Sequence, residues 1–332
     1  MYFLLGISLV FALLLVLNVL ASIGASVLWR AASKRTENWT AQARARFIFA
    51  LRVFPVAAAL VAVFAFLLPA YILFEPHRSS ETVGVKLAFL SLLSAVGVGF
   101  AFYRVFQTRR ATRRLIKDWM KRAEPIKVSG VAVPVYKIRH PFPVIAVVGA
   151  LRPRMFVAEQ IFETLETGEF QAAIWHETGH LAACDNFKRA VMRVCRDLLV
   201  FPFGKTLDRA WAEEAEAGAD EYAAQNGGDS QTALNLAAAL IKIARIVPAG
   251  AKPSMPAGAF LIEQPSTEIA FRVQKLLQMT GGETSFLASR AFNFRLWFCC
   301  AALCATLVLL AADQNFLLQL HNASETVVAL LQ

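Results

Sequence analysis

The chain has 332 residues, of which 57% are hydrophobic and only 17% are charged, and its formal net charge at pH 7 is +10. This composition excludes a disordered chain and is unusual for a soluble globular protein. The basic residues are concentrated beside long apolar runs, so they indicate membrane topology rather than nucleic-acid recognition. We therefore expect the lipid bilayer to be a partner and expect no direct binding of nucleic acid.

Three long apolar runs come first, and each is close to the ~20 residues that cross the hydrocarbon core of a bilayer. They predict a membrane region over residues 1–106 that contains three helices, at about 2–29, 53–74 and 85–106. The first run has no basic residue before it and is too long for a secretory signal, so we expect a retained helix. A shorter run, Leu296 to Ala312, predicts a fourth membrane helix within 293–315, followed by a short tail at 316–332.

Lysine and arginine are unevenly distributed between the connections of these helices. They are dense in 30–52 and in 104–122, whereas the tail after Ala312 contains none. Because basic residues near membrane ends tend to stay in the cytoplasm, the pattern predicts a multi-pass protein of a bacterial-type inner membrane. Both termini are predicted to lie outside, and residues 107–292 to face the cytoplasm.

Residues 107–292 are numerous enough to form a domain with its own core. Their pattern predicts an α+β domain that is mostly helical and has a small sheet. Strands are expected at about 131–138, 144–148 and 154–158. Helices are expected at about 168–184, 187–200, 205–225, 230–245 and 267–279. Between the last two helices, prolines and glycines predict a loop over 246–266 that could act as a flap.

An H-E-x-x-H motif, His176-Glu177-Thr178-Gly179-His180, lies inside the predicted helix at 168–184. Histidines four residues apart share one helical face, so both imidazoles can bind a single Zn²⁺ while Glu177 reaches a water on it. The motif predicts zinc as the cofactor and Glu177 as the general base. The alternative, two unrelated histidines, would place two imidazoles on an otherwise apolar helical face.

A catalytic zinc needs a third protein ligand and an open position. The helix at 205–225 offers several glutamates, and Glu216 is favoured because Asp220 follows one helical turn later. One carboxylate could bind zinc while the other accepts the far N–H of a ligating histidine. Glu213 remains the alternative ligand. His140 and Arg272 are candidates for contacts with the substrate or the oxyanion, against the simpler interpretation of a turn histidine and a surface arginine.

The H-E-x-x-H motif followed by Asp185, together with Glu216-Ala217-Gly218-Ala219-Asp220, resembles the paired motifs of membrane-embedded gluzincin peptidases. Three membrane helices, a zinc domain and a fourth helix are similar to the BlaR/MecR-type arrangement. The resemblance implies a zinc metalloendopeptidase in which His176, His180 and Glu216 bind zinc and Asp220 and Asp185 support them. It also implies a protein substrate cut at the cytoplasmic membrane face, such as a transcriptional repressor.

This sequence departs from that family in one respect, because the family carries a penicillin-binding domain after the fourth helix and this chain has only a short tail there. We therefore expect that any activating signal comes from a separate sensor protein. Two other functions remain open: an HtpX-type quality-control protease, which would use the same zinc residues, and a non-enzymatic membrane receptor or scaffold with a structural zinc site. An intramembrane protease is disfavoured because charged residues flank the motif helix too closely for it to span.

Overall fold

The computed structural model describes residues 2–76, 83–198, 204–227, 230–247, 266–279 and 305–331. The described chain is mostly helical, and it contains one small mixed sheet. Three helices are long and apolar enough to cross a membrane: α1 (Tyr2–Ala32), α2 (Ala41–Phe74) and α3 (Val85–Met120). Each contains one of the three long apolar runs, which confirms the first three predicted helices by length and composition. Most of the predicted fourth membrane helix, and the predicted loop at 246–266, lie outside the described residues.

The helix α2 is longer than the apolar run inside it and changes its winding near the end. It begins after Thr40, whose side chain accepts a hydrogen bond from the backbone N–H of Ala43 at 3.2 Å. Over Ala62–Leu67 it winds as a π-helix, and the N–H of Leu68 bonds to the carbonyl of Val63. Pro69 explains this change, since it has no N–H to donate and its ring crowds the carbonyl four residues earlier.

A further helix, α10 (Gln314–Leu331), occupies the region that the sequence predicted only as a tail. Its Leu317 packs on Phe66 and Ala70 of α2. The three long apolar helices α1, α2 and α3 pack together, and we call them the membrane bundle. Val328 of α10 joins their apolar cluster, which includes Leu5 of α1. Residues 305–312 before it are also helical. The last described segment is therefore packed against the bundle.

After α3, the chain forms a four-stranded sheet with the order β1-β2-β4-β3. The strands are β1 (Glu124–Ile126), β2 (Val135–Ile138), β3 (Ile145–Val148) and β4 (Arg154–Ala158). β2 and β4 are parallel, and the other two pairs are antiparallel. The last three strands confirm the predicted ones. The sequence analysis did not predict β1, because this strand has only three residues and one of them is a proline.

Between the sheet and residue 279, the described residues form six helices: α4 (Glu159–Thr164), α5 (Thr167–Ala182), α6 (Asp185–Asp197), α7 (Lys205–Asn226), α8 (Ser230–Ile246) and α9 (Ser266–Met279). The last five confirm the predicted helices to within a few residues. The core of this region joins Met155 and Phe156 of β4 to Ile174 of α5 and Leu236 of α8. Packing on the sheet therefore holds α5, which carries the H-E-x-x-H motif.

The first turns of α2 pack directly on α7. An apolar cluster joins α2, α6 and α7: Ile48, Leu51, Met192, Leu207, Trp211 and Ala215. The buried Arg52 donates from Nε to Asp208 at 2.8 Å, and the carboxylate of Glu221 accepts the N–H of Ala41 at 3.2 Å. The membrane bundle therefore contacts the helix that carries Glu216 and Asp220.

Candidate metal centre

Two neighbouring helices bring three potential metal ligands together. His176 and His180 on α5 face Glu216 on α7, with all three ligand atoms within 4.8 Å of one another. Nε2 of each histidine lies 3.6 Å from an oxygen of Glu216. The three residues are at most 7% exposed. This group could hold one metal ion.

The glycine in the middle of the motif allows α5 and α7 to approach each other. A Cβ atom at Gly179 would lie 3.1 Å from Cα of Ala219 and 3.1 Å from Cβ of Tyr222. These distances are shorter than ordinary carbon–carbon contacts, so a larger residue would push the helices apart. Gly179 therefore sets the distance between the histidines of one helix and Glu216 of the other.

The second nitrogen of each imidazole faces a carboxylate. Nδ1 of His176 lies 2.9 Å from Asp220, and Nδ1 of His180 lies 2.8 Å from Asp185. Nδ1 of His180 is hydrogen-bonded to Asp185, so a proton there leaves the Nε2 lone pair directed at the Glu216 side. Nδ1 of His176 is close to Asp220 but makes no hydrogen bond to any residue that the structure describes. The surroundings therefore favour the tautomer that metal binding requires at His180, and the Asp220 carboxylate is near enough to support it at His176.

Arg272 lies in this cluster and is not the surface arginine of the simpler interpretation. It donates from Nε and Nη2 to Asp220 at 3.0 and 2.7 Å, and Nη1 lies 3.2 Å from Glu216. The side chain is buried, so the interpretation as a surface arginine is wrong. Its guanidinium connects the two carboxylates and fixes their orientation, since a planar fork of donors suits such pairs.

Arg189 is a contact of the centre that the sequence analysis missed. Its Nη2 lies 3.3 Å from Glu216, on the side where His180 approaches. The sequence spacing could have indicated this contact. Arg189 follows Asp185 by one turn of α6, so both side chains lie on one helical face. With Arg272, it places two guanidinium groups against one carboxylate.

Glu177 and the histidines have polar atoms that suit a bound ion and water. Both carboxylate oxygens of Glu177 and Nε2 of His176 are buried and make no hydrogen bond to any residue that the structure describes. Buried polar atoms rarely lack a partner, so this donor set fits a metal. Burial also raises the pKa of Glu177 to about 7.

The electrostatics of the centre favour positive charge between the three ligands. Burial disfavours the imidazolium form of His180, but the carboxylates of Glu216 and Asp185 outweigh it and raise its pKa to about 10. Burial likewise opposes the charged form of Glu216, yet the facing histidines and Arg272 hold its pKa well below the usual range. Protons or a metal ion would both satisfy this field, so the two compete for the same atoms.

Two other candidates lie outside the cluster. Glu213, the alternative ligand, is exposed and pairs with Arg209 at 2.9 Å. His140 lies in the turn after β2, where its Nδ1 accepts the N–H of Phe142 at 3.2 Å and its ring packs edge-on against Trp119. Burial lowers the pKa of His140, so the neutral imidazole is favoured. The described contacts of His140 therefore suit a structural turn histidine.

A second group of potential ligands, which the sequence analysis did not predict, lies on the membrane bundle. Glu75 at the end of α2 meets His321 and Glu325 of α10, with ligand atoms within 4.8 Å of one another. Nε2 of His321 lies 3.8 Å from Glu75. Glu75 is far from His321 and Glu325 in the sequence, and only the packing of α10 on α2 brings the three together.

No protein-family model matches the chain, and no curated protein matches it. The resemblance to BlaR/MecR-type peptidases therefore stays a prediction. What the protein does must be inferred from the residues of the metal centre and from the membrane helices beside it.

Proposed function

We propose that the protein is a membrane-embedded zinc metalloendopeptidase, similar to the BlaR/MecR type, that hydrolyses a protein substrate at the cytoplasmic membrane face. One observation carries the proposal: His176, His180 and Glu216 converge on one point with Glu177 buried beside them. Two imidazoles and a carboxylate are a ligand set that zinc uses in hydrolytic sites, where the fourth position stays open. A structural zinc site would be closed by a fourth protein ligand, and the described residues supply three.

When bound, zinc would polarise the scissile carbonyl and acidify an attacking water. Glu177 would accept the proton of that water and pass it to the leaving amine. Asp185, hydrogen-bonded to Nδ1 of His180, and Asp220, 2.9 Å from Nδ1 of His176, would keep the two imidazoles in the ligating orientation. Arg272 is a positioning residue, because it acts through Asp220 and Glu216.

The placement of the substrate is partly limited by the sheet. β3 is an edge strand, which could in principle pair with an extended peptide. The side-chain amide of Asn186 already donates to the carbonyl of Val147 at 2.8 Å. All four residues of β3 are also at most 1% exposed. A peptide could therefore pair with this edge only if the groups that cover the strand moved and the hydrogen bond from Asn186 broke.

The proposal is tested by comparing new protein N-termini in cells that produce the wild type or Glu177→Gln. We expect a set of N-termini that only the wild type generates, while both purified proteins contain one zinc per chain. Glu163→Gln makes the same chemical change at an exposed position on α4 and serves as the control. The same N-termini in all three strains would reject a peptidase function.

A further inference from the structure

A cavity of about 1250 Å³ lies beside the metal centre and shares Glu216 and Arg272 with it. The other walls are one face of α3 beyond its apolar part, the turn between β3 and β4, and α6. Pockets for small molecules have volumes of about 300–1,000 Å³. This cavity is larger, so it has room for a segment of a protein.

The lining of the cavity is strongly basic. Besides Arg272 and Arg189, which contact Glu216, it contains six further arginines: Arg104, Arg109, Arg113, Arg152, Arg154 and Arg193. Its carboxylates are Asp197 and Glu216, and both already face arginines, Asp197 at 3.5 Å from Arg104. The acidic groups of the wall therefore cannot neutralise it.

Four of these arginines, Arg109, Arg113, Arg152 and Arg154, form no ion pair with any residue in the described ranges. The crowding of like charges also affects a fifth, since burial and then the neighbouring Arg196 lower the pKa of Arg193. Guanidinium groups that face one space repel each other, and an anion between them relieves the repulsion. The cavity is thus built to receive negative charge.

We propose that this cavity binds an acidic segment of the protein substrate, whose carboxylates pair with Arg109, Arg113, Arg152 and Arg154. Arginine favours carboxylates through paired, charge-assisted hydrogen bonds. The cleavage that would follow rests on the proposed peptidase function, whereas the binding does not. Anionic lipid headgroups are the other source of negative charge, but the lining includes Glu216 of the metal centre, which favours a substrate.

Binding can be measured without catalysis by using the full-length Glu177→Gln protein in nanodiscs of zwitterionic lipid. The probes are two fluorescein-labelled peptides, one alternating glutamate with valine and one alternating glutamine with valine. Fluorescence anisotropy should show at least about tenfold tighter binding of the glutamate peptide, and high salt should reduce the difference. Equal affinity for the two peptides would overturn the proposal.

The arginines are tested by a pair of double variants on one helix. Arg109→Gln with Arg113→Gln should weaken binding of the glutamate peptide about tenfold and leave the glutamine peptide unchanged. Arg110→Gln with Arg114→Gln removes the same charge from exposed positions outside the lining and should leave both affinities unchanged. An equal loss in the two double variants would contradict a role of the cavity.

Two further measurements separate the alternatives. If neither double variant changes peptide binding and both reduce association with phosphatidylglycerol vesicles, the arginines contact lipid and the proposal is wrong. Zinc content and wild-type cleavage are measured in parallel. The protein could bind the acidic peptide selectively and yet hold no zinc and cleave nothing. That result would support binding of acidic segments in the cavity and would reject the peptidase function.

Discussion

The two groups of histidine and carboxylate ligands differ in what surrounds the imidazole. In the metal centre, Nδ1 of His180 is hydrogen-bonded to Asp185, and Nδ1 of His176 lies 2.9 Å from Asp220 without a hydrogen bond to any described residue. At the bundle, Nδ1 of His321 is buried and makes no hydrogen bond within the described part of the chain. The ring centre of Phe74 lies 6.1 Å from that of His321. Proximity of three ligands is therefore common to both groups, and control of the imidazole is not.

This difference has a physical consequence for metal binding. A carboxylate on the second nitrogen fixes the tautomer and makes the first nitrogen a better ligand, which is worth about 10–100-fold in affinity. Nδ1 of His321 makes no hydrogen bond to a carboxylate among the described residues. We therefore expect the metal centre to hold zinc and the bundle group to hold it weakly or not at all.

The largest expected effect comes from removing a histidine of each group. His180→Ala should lose zinc almost completely, because two ligands remain and Glu216 then faces only His176. His321→Ala removes the same side chain and should retain one zinc per chain. Metal analysis of the purified proteins checks both, and an undiminished zinc content in His180→Ala would refute the ligand assignment.

A smaller effect is expected from the support of the imidazole. Asp220→Ala should weaken zinc affinity about 10–100-fold in a zinc-buffered titration, since Nδ1 of His176 and the guanidinium of Arg272 both lose their partner. Glu213→Ala removes an exposed carboxylate from the same helix and should bind zinc like the wild type. Indistinguishable titrations for the two variants would remove the distinction between the metal centre and the bundle group.

The next effect is on stability, and it is expected where α5 and α7 are in contact. Gly179→Ala places a methyl group 3.1 Å from Ala219, and such overpacking costs about 1–3 kcal/mol of unfolding free energy. Gly218→Ala is the matched change on α7, where the nearest atom lies at 3.4 Å, an ordinary contact. Because alanine favours helix by about 0.5–1 kcal/mol, it should be neutral or stabilising. Denaturant unfolding in detergent would contradict this explanation if both variants lost equal stability.

The smallest perturbation tests whether the two groups lie on opposite sides of the membrane. Ser129→Cys and Asn322→Cys change exposed positions and should not affect zinc content. With the native cysteines replaced, an impermeant thiol reagent should label position 322 in intact cells and position 129 only after lysis. Labelling of position 129 in intact cells would overturn the predicted topology and a cytoplasmic substrate.

The sequence predicted the parts of the metal centre that depend on local geometry. His176, Glu177 and His180 lie within one helix, so their spacing alone defines a common face. Glu216 and Asp220 are likewise four residues apart on a second helix, so they also share one helical face. The strands β2, β3 and β4 were equally accessible, because their β-branched residues lie between turn residues.

Features that depend on packing between distant segments were not predicted. Arg272 was named only as a candidate for contacts with the substrate or the oxyanion, and its hydrogen bonds to Asp220 could not be predicted because they require α9 to pack beside α7. The close approach at Gly179 is likewise visible only when α5 and α7 are placed together. The Glu75 and His321 contact requires α10, whose residues were predicted to be a tail.

The packing of α2 on α7 makes the boundary that hydropathy suggests a poor place to divide the chain. A fragment that began at residue 107 would lack Ile48 and Arg52. Trp211, which is 2% exposed in the intact protein, would lose part of its cover, and Asp208 would lose its hydrogen bond from Arg52. Because these groups are buried across one interface, we expect the long apolar helices and the helices of the metal centre to fold as one cooperative unit. We therefore expect a detergent that loosens the bundle to weaken metal binding at a centre that it does not contact.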